Sequence, residues 1–301
     1  MQNVNLSPRH LVLALMLVVV WGLNFIAVFY GLKGFPPFLL CAFRFGLASI
    51  PWIFFFPKPE APTKFIIAYG LFNFAFQFGL LFSGIHLGLS PGLASLVLQV
   101  QVLFSIGLAF LFFRDRPSPL KIVGSLISFI GIAIVALKVG GGATFMGLIL
   151  TLLAALSWAI GTVLTKKVDS NSSLALVVWG NLVAFPFMMI LSIWLEGPAL
   201  ICSALQNISW ITVGAIIYIV YLSTHIGYSI WGFLLKTYST SVVVPFTLLI
   251  PVIGFISSAL SLGEHLAPWK LLASFFIMAG LIFNLLERET LKLIRWLRSP
   301  S

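Results

Sequence analysis

The chain of 301 residues is 60% hydrophobic and only 8% charged, with a mean hydropathy of +1.13. Soluble domains carry about 25% charged residues, so this composition excludes an ordinary soluble domain and indicates a polytopic membrane protein. The net charge of +10 would fit a nucleic-acid partner only if the basic residues clustered on one exposed face, and they do not.

Apolar stretches close to the roughly 20 residues that cross a bilayer as helix recur along the whole chain. The first, Leu11–Tyr30, follows a short basic segment but runs too long for a signal-peptide core and reads as a retained helix. Phe35–Phe56, Phe65–Leu87, Gly92–Phe113 and Leu120–Leu137 follow it. Thr144–Thr165, Ser173–Leu195, Ile208–Leu235, Ser241–Leu262 and Leu271–Glu287 complete ten predicted spans. The expected fold is thus all-α and integral to the membrane, with no soluble domain left over.

Charge position orients the spans. With a cytoplasmic N-terminus, thirteen of the seventeen Lys and Arg fall in inside segments, and Lys33, Lys138 and Lys270 fall outside. This asymmetry predicts that both termini are cytoplasmic. The tail after Glu287, rich in Lys and Arg, reads as a membrane-surface anchor and not as a nucleic-acid arm. Cys41 and Cys202 are too few and too differently placed for a disulfide framework.

The two halves resemble each other. "PLKIVGSLISFIGI" from Pro119 aligns with "PWKLLASFFIMAGL" from Pro268 at an offset of 149, pairing Asp115 with Glu264 and Gly131 with Gly280. Trp21 in "VVVWGLNF" and Trp158 in "ALSWAIGT" align at an offset of 137. The expected division is residues 1–138, residues 139–288 and a basic tail 289–301. Five spans per half is an odd number, so the repeat must be inverted, an architecture that secondary transporters use to rock two bundles around a central site.

None of the seven acidic residues falls near the middle of a span, which leaves a carboxylate-based proton pump or an intramembrane aspartyl protease without its parts. No nucleophile, base and oxyanion hole stand at recognisable spacing, so the chain does not read as an enzyme. What remains is neutral polarity at helical spacing. Asn24 shares a face with Trp21 and Phe25; Trp158 shares one with Gly161 and Thr162; Tyr218, Tyr221, His225, Tyr228 and Gly232 form a stripe; Asn73, Gln77 and Asn181 add amides. Such side chains either line a wet cavity or bond neighbouring helices, the latter contributing about 0.6 kcal/mol each.

Within "SLVLQVQVLF", Gln99 and Gln101 project about 200° apart on a helix. They divide the two roles, one facing the cavity and the other a neighbouring helix. Opposite them in the second half, Pro245 and Pro251 would free carbonyls and act as hinge or gate. Arg44, the one charge well inside a span, is read in two ways: an anchor for a substrate carboxylate, or a brace between helices. With no buried carboxylate, either protonation of His225 or plain gradient-driven efflux fits the coupling.

"WGLNF" at Trp21, "FRF" around Arg44 and the acids Asp115 and Glu264, each followed by Pro-x-Lys, resemble the repeat landmarks of the drug/metabolite transporter superfamily, EamA type. "PGLASLVLQVQ", "GYSIWGFLLKTY" and "LLIPVIGFISSAL" resemble, within it, the bacterial exporters of O-acetylserine and cysteine. Asp115 stands where a glutamate is usual, and Val102 where the second repeat has Pro251. The resemblance implies efflux of a small zwitterionic amino-acid metabolite across a bacterial inner membrane by alternating access, with no metal or organic cofactor. The alternatives are a carrier of drugs or other metabolites of the same superfamily, and a membrane-embedded enzyme.

Overall fold

The computed structural model describes residues 7–113, 118–139, 143–165, 173–238, 240–265 and 267–285, and the elements among them are helices. Asp115 and the tail 289–301 lie outside these residues. Helix α1 is Pro8–Gly34, α2 is Pro37–Ser49, and α3 covers 63–86 with a π-helical segment at Leu71–Phe76. Helix α4 covers 91–113 with a break at Gln99–Val100, α5 is Pro119–Lys138, and α6 is Ala143–Thr165. Helix α7 covers 173–196 and ends in a π turn, and α8 is Gly197–Gln206. Helix α9 covers 210–237 around a π segment at Tyr218–Ile226, α10 covers 240–262 with 3-10 turns at Val244–Leu249, and α11 is Pro268–Leu285.

Seven of the described helices are long and apolar enough to cross a membrane. Three shorter apolar ones, Pro37–Ser49, Phe246–Leu262 and Pro268–Phe283, accompany them. Their starts are written locally. Ser7, Ser90 and Ser118 each cap a helix whose first residue is proline, the serine oxygen accepting the backbone N–H three residues further on. The second predicted span is longer than the helix that forms. Helix α2 stops at Ser49, because Pro51 has no N–H to continue the ladder and its ring clashes with the preceding turn.

Two carboxylates tie helix ends together. Glu196, at the end of α7, accepts the backbone N–H groups of Phe38 at 2.6 Å and Leu39 at 3.0 Å, so it caps α2, while Ser192 donates to it at 2.7 Å. Glu264, just beyond α10, accepts from the Oγ of Ser90 at the start of α4 (2.5 Å), from Ser258, and from the Nζ of Lys270 on α11 (2.6 Å). Backbone donors at a helix start favour an anion both by hydrogen bonding and by the helix dipole.

The offset of 149 reappears as geometry where α5 crosses α11. A methyl added at Gly131 would lie 2.6 Å from the Cγ1 of Ile277 and 2.7 Å from the carbonyl of Ala273. One added at Gly280 would strike the carbonyl of Gly124 and the Oγ of Ser128. Each contact maps onto the other when residue n is exchanged for n+149, and the Ser128 hydroxyl donates to the carbonyl of Ile277, its own counterpart, at 3.2 Å. Along the crossing, partner numbers fall on α11 as they rise on α5, so the two helices run antiparallel. The π segments of α3 and α9 begin 147 residues apart and the interruptions of α4 and α10 fall near the 149 offset, so backbone irregularities are repeated as well as residues.

Candidate functional site

Where the irregular helices meet, a cavity is lined by Trp21, Asn24, Phe25, Arg44, Gln77, Phe78, Leu81, Ser95, Leu98, Gln99, Trp158, Ser223, Tyr228 and Ile250. It leaves about 70 Å³ in which the centre of a water molecule can sit; one water needs about 10–15 Å³ on that measure. The space suits a molecule of a few heavy atoms. None of the described acidic residues lines it.

Helix α4 supplies the floor of the polar face. Its ladder tightens around Gln99, with Val100 N–H donating to Val97 at 3.0 Å and Val102 N–H to Gln99 at 3.1 Å. The Gln99 Nε2 donates to the carbonyl of Thr247 at 2.8 Å, inside the 3-10 turns of α10. Gln99 therefore lines the cavity and bonds the neighbouring helix at once, so the two roles are not divided between two glutamines. Gln101 lies elsewhere, its Oε1 accepting from Ser105 at 3.4 Å. Pro245 falls within the 3-10 turns and Pro251 is buried in the first turn of the α-helical part of α10; the Thr247 carbonyl accepts the N–H of Ile250 as well as the Gln99 amide, since Pro251 has no N–H to offer it.

Trp21 frames another wall. Its indole N–H donates to the carbonyl of Ser223 at 3.1 Å, its ring lies 5.5 Å from that of Tyr228, and Gly227 leaves room for the indole. The π segment of α9 explains why the tyrosine and histidine stripe does not face one way. A π turn closes i to i+5, so residues spaced for an α-helix fall out of phase across it. Tyr228 reaches the cavity, while Tyr221 is exposed at 37%. His225 is buried between Trp52 (ring centroids 4.7 Å) and Tyr221 (5.7 Å), its Nδ1 2.9 Å from the carbonyl of Val220 and its Nε2 3.2 Å from that of Ala48. His225 and Tyr221 do not line the cavity. Neither does Asn181, whose Nδ2 donates to Val177 at 2.7 Å. Since His225 stands off the cavity with both ring nitrogens against backbone carbonyls, His225→Gln is expected to leave the pH profile of transport unchanged. A flattened profile would restore it as the proton carrier.

Arg44 is 2% exposed, and its guanidinium lies 3.7 Å from the centre of the Phe78 ring. Its Nη2 donates to the Oγ1 of Thr224 at 3.3 Å, and Thr224 in turn donates to Ile219, five residues back across the π segment. The Nε and Nη1 of Arg44, the Oδ1 of Asn24 and the Oε1 of Gln77 are buried and have no hydrogen-bond partner among the described residues. A cation and two acceptor atoms left unsatisfied around one cavity are an arrangement that a bound molecule completes.

The model of the EamA-like transporter family matches residues 9–137 and 145–286. The chain belongs to this family. This EamA transporter is 38% identical to the "Probable amino-acid metabolite efflux pump" of Escherichia coli K12 over 93% of this chain and 95% of the relative. It is 39% identical to the protein of the same description in Salmonella typhimurium LT2, over the same shares. A solved crystal structure superposes on it with a TM-score of 0.63 at 16% identity, covering 98% of this chain and 100% of that one, which is a likeness of fold. With its apolar helices and these relatives, the EamA transporter is a multi-pass protein of the inner membrane.

Ser223, Phe78 and Ile250 line the cavity and were not legible as site residues. Phe78 and Ile250 carry no polar signal, and Ser223 faces inward only because the π segment resets the phase of α9.

Proposed function

We propose that the protein exports small amino-acid metabolites, O-acetylserine and cysteine among them, by alternating access around the cavity between α1, α2, α3, α4, α6, α9 and α10. In this reading ten segments cross the membrane as two inverted five-helix units, residues 1–138 and 139–288, with both termini cytoplasmic. Asn24, Gln77, Gln99, Trp158 and Tyr228 contact the cargo, and Pro245 and Pro251 let α10 flex against α4.

The observation that carries the reading is the cavity itself. It is small, partly polar, free of described carboxylates and placed where interrupted helices from the two halves meet through the Gln99–Thr247 bond. Discontinuous helices with open carbonyls at the repeat interface are how secondary transporters build midplane sites. The size favours a metabolite over a bulky drug or nucleotide sugar, and the relatives' description as amino-acid metabolite efflux pumps points the same way. Counterflow tests it: vesicles holding the purified protein and loaded with unlabelled O-acetylserine should transiently accumulate labelled O-acetylserine or cysteine above protein-free vesicles. No accumulation by protein that remains monodisperse would overturn the reading.

A further inference from the structure

We propose that the cavity recognises its cargo by the two α-groups of a free amino acid, Arg44 taking the carboxylate and the carbonyl oxygens of Asn24 and Gln77 taking the ammonium. The proposal rests on the carrier reading above and adds which chemical features of the cargo are compulsory.

The argument starts from the state of Arg44. A guanidinium stays charged in proteins and presents five donors in a planar fork, and burying one without an anion is costly. A structural brace would point those donors at carbonyls or a carboxylate. Here the described partners are one hydroxyl, that of Thr224, and aromatic faces, Phe78 at 3.7 Å with Phe45 and Phe82 at 5.9 Å, and two of the three guanidinium nitrogens have no hydrogen-bond partner among the described residues. The described carboxylates are committed elsewhere or exposed: Glu196 caps α2, Glu264 pairs with Lys270, and Glu60 is on the surface. Thr224 spends its proton on Ile219, so its lone pairs are what it offers Arg44, and the π segment that permits this bond fixes one edge of the fork. The free edge is matched to a bidentate carboxylate.

Asn24 is 7% exposed and Gln77 2%, both line the cavity, and each has a buried carbonyl oxygen without a donor among the described residues. The unsatisfied atoms of Asn24 and Gln77 are acceptors, so an anion held by Arg44 alone would leave them unpaired. A ligand carrying a carboxylate and a primary ammonium satisfies both sets. An N-acyl amino acid keeps the carboxylate but loses two ammonium donors, an ester loses the anion that Arg44 needs, and a decarboxylated amine brings only a cation into a positive site. The side chain of the cargo is then held by shape, against indole and phenol surfaces.

The experiment is competition in the counterflow assay with wild-type protein, using labelled O-acetylserine against its N-acetyl isomer, its methyl ester and ethanolamine acetate ester. Losing a charge-assisted bond to a buried partner corresponds to about ten- to a hundredfold in affinity, so each of the three should compete at least about tenfold more weakly than the unlabelled free amino acid. Arg44→Lys, which keeps the charge and loses the fork, should raise the apparent KM by about tenfold or more. Equal competition by the ester or the amine, or an unchanged KM in Arg44→Lys, would overturn the assignment. Should Arg44→Lys not fold, the wild-type competition series decides alone. Counterflow with indifferent competition removes only this assignment, whereas absence of counterflow by any amino acid removes the carrier reading and the assignment with it.

Discussion

Gly280→Leu is expected to yield no folded protein, and Gly280→Ala to lower stability by about 3 kcal/mol, at the upper end of what overpacking one methyl costs. At Gly280 the added carbon meets the carbonyl of Gly124, the hydroxyl of Ser128 and, at 2.7 Å, the backbone nitrogen of Ser128. Two of these three atoms are backbone, so relief requires α5 and α11 to move apart. That separation would also lengthen the Ser128–Ile277 bond and expose the close face that substitutes for a hydrophobic driving force between helices in lipid. Gly214, which has nothing within 4 Å of an added carbon, is the control: Gly214→Ala should be neutral or stabilising by up to about 1 kcal/mol through helix propensity. Thermal unfolding in detergent measures both, and equal behaviour of Gly280→Ala and Gly214→Ala would refute the packing argument.

Glu264→Ala should cost about 1–3 kcal/mol, less than the 3–5 typical of breaking a fully buried pair, because Glu264 and Lys270 keep 9% and 14% exposure and solvent screens part of the interaction. Burial opposes ionisation of Glu264, but hydrogen bonds from Lys270, Ser258 and Ser90 outweigh it and hold the carboxyl below its ordinary value of 4.5. The sign follows from that direction. A carboxyl lowered in the folded state contributes its full stability above about pH 4.5 and loses it as pH falls through the lowered folded value. The stability difference between wild type and Glu264→Ala should therefore be constant from neutral pH down to about 4.5 and shrink below it. Other carboxyls titrate in both proteins, so the difference between the two curves is the quantity to follow. A difference that instead shrank between pH 8 and 6 would place its source outside Glu264.

Much of the molecule was written in local chemistry. Apolar runs of about 20 residues have one stable outcome in a bilayer, since a helix satisfies its backbone internally. Ser-Pro pairs marked three helix starts at Pro8, Pro91 and Pro119. Gly131 and Gly280, paired by the sequence offset, each became a close contact between α5 and α11, because only glycine leaves room for the facing backbone there.

The cavity was less legible, and the reason is phase. Reading α9 at 3.6 residues per turn grouped Tyr221, His225 and Tyr228, whereas the π segment sends Tyr228 to the cavity, His225 against Trp52 and Tyr221 to the periphery. Side-chain period determines which residues share a face only while the backbone keeps that period. Likewise, composition identified Arg44 as a buried charge but could not say whether anything satisfied it. Hydrophobicity and periodicity, properties of neighbouring residues, determined the helices, the membrane and the repeat. Which polar atoms remain without partners depends on residues as far apart as Arg44 and Thr224, and that only the tertiary packing decides.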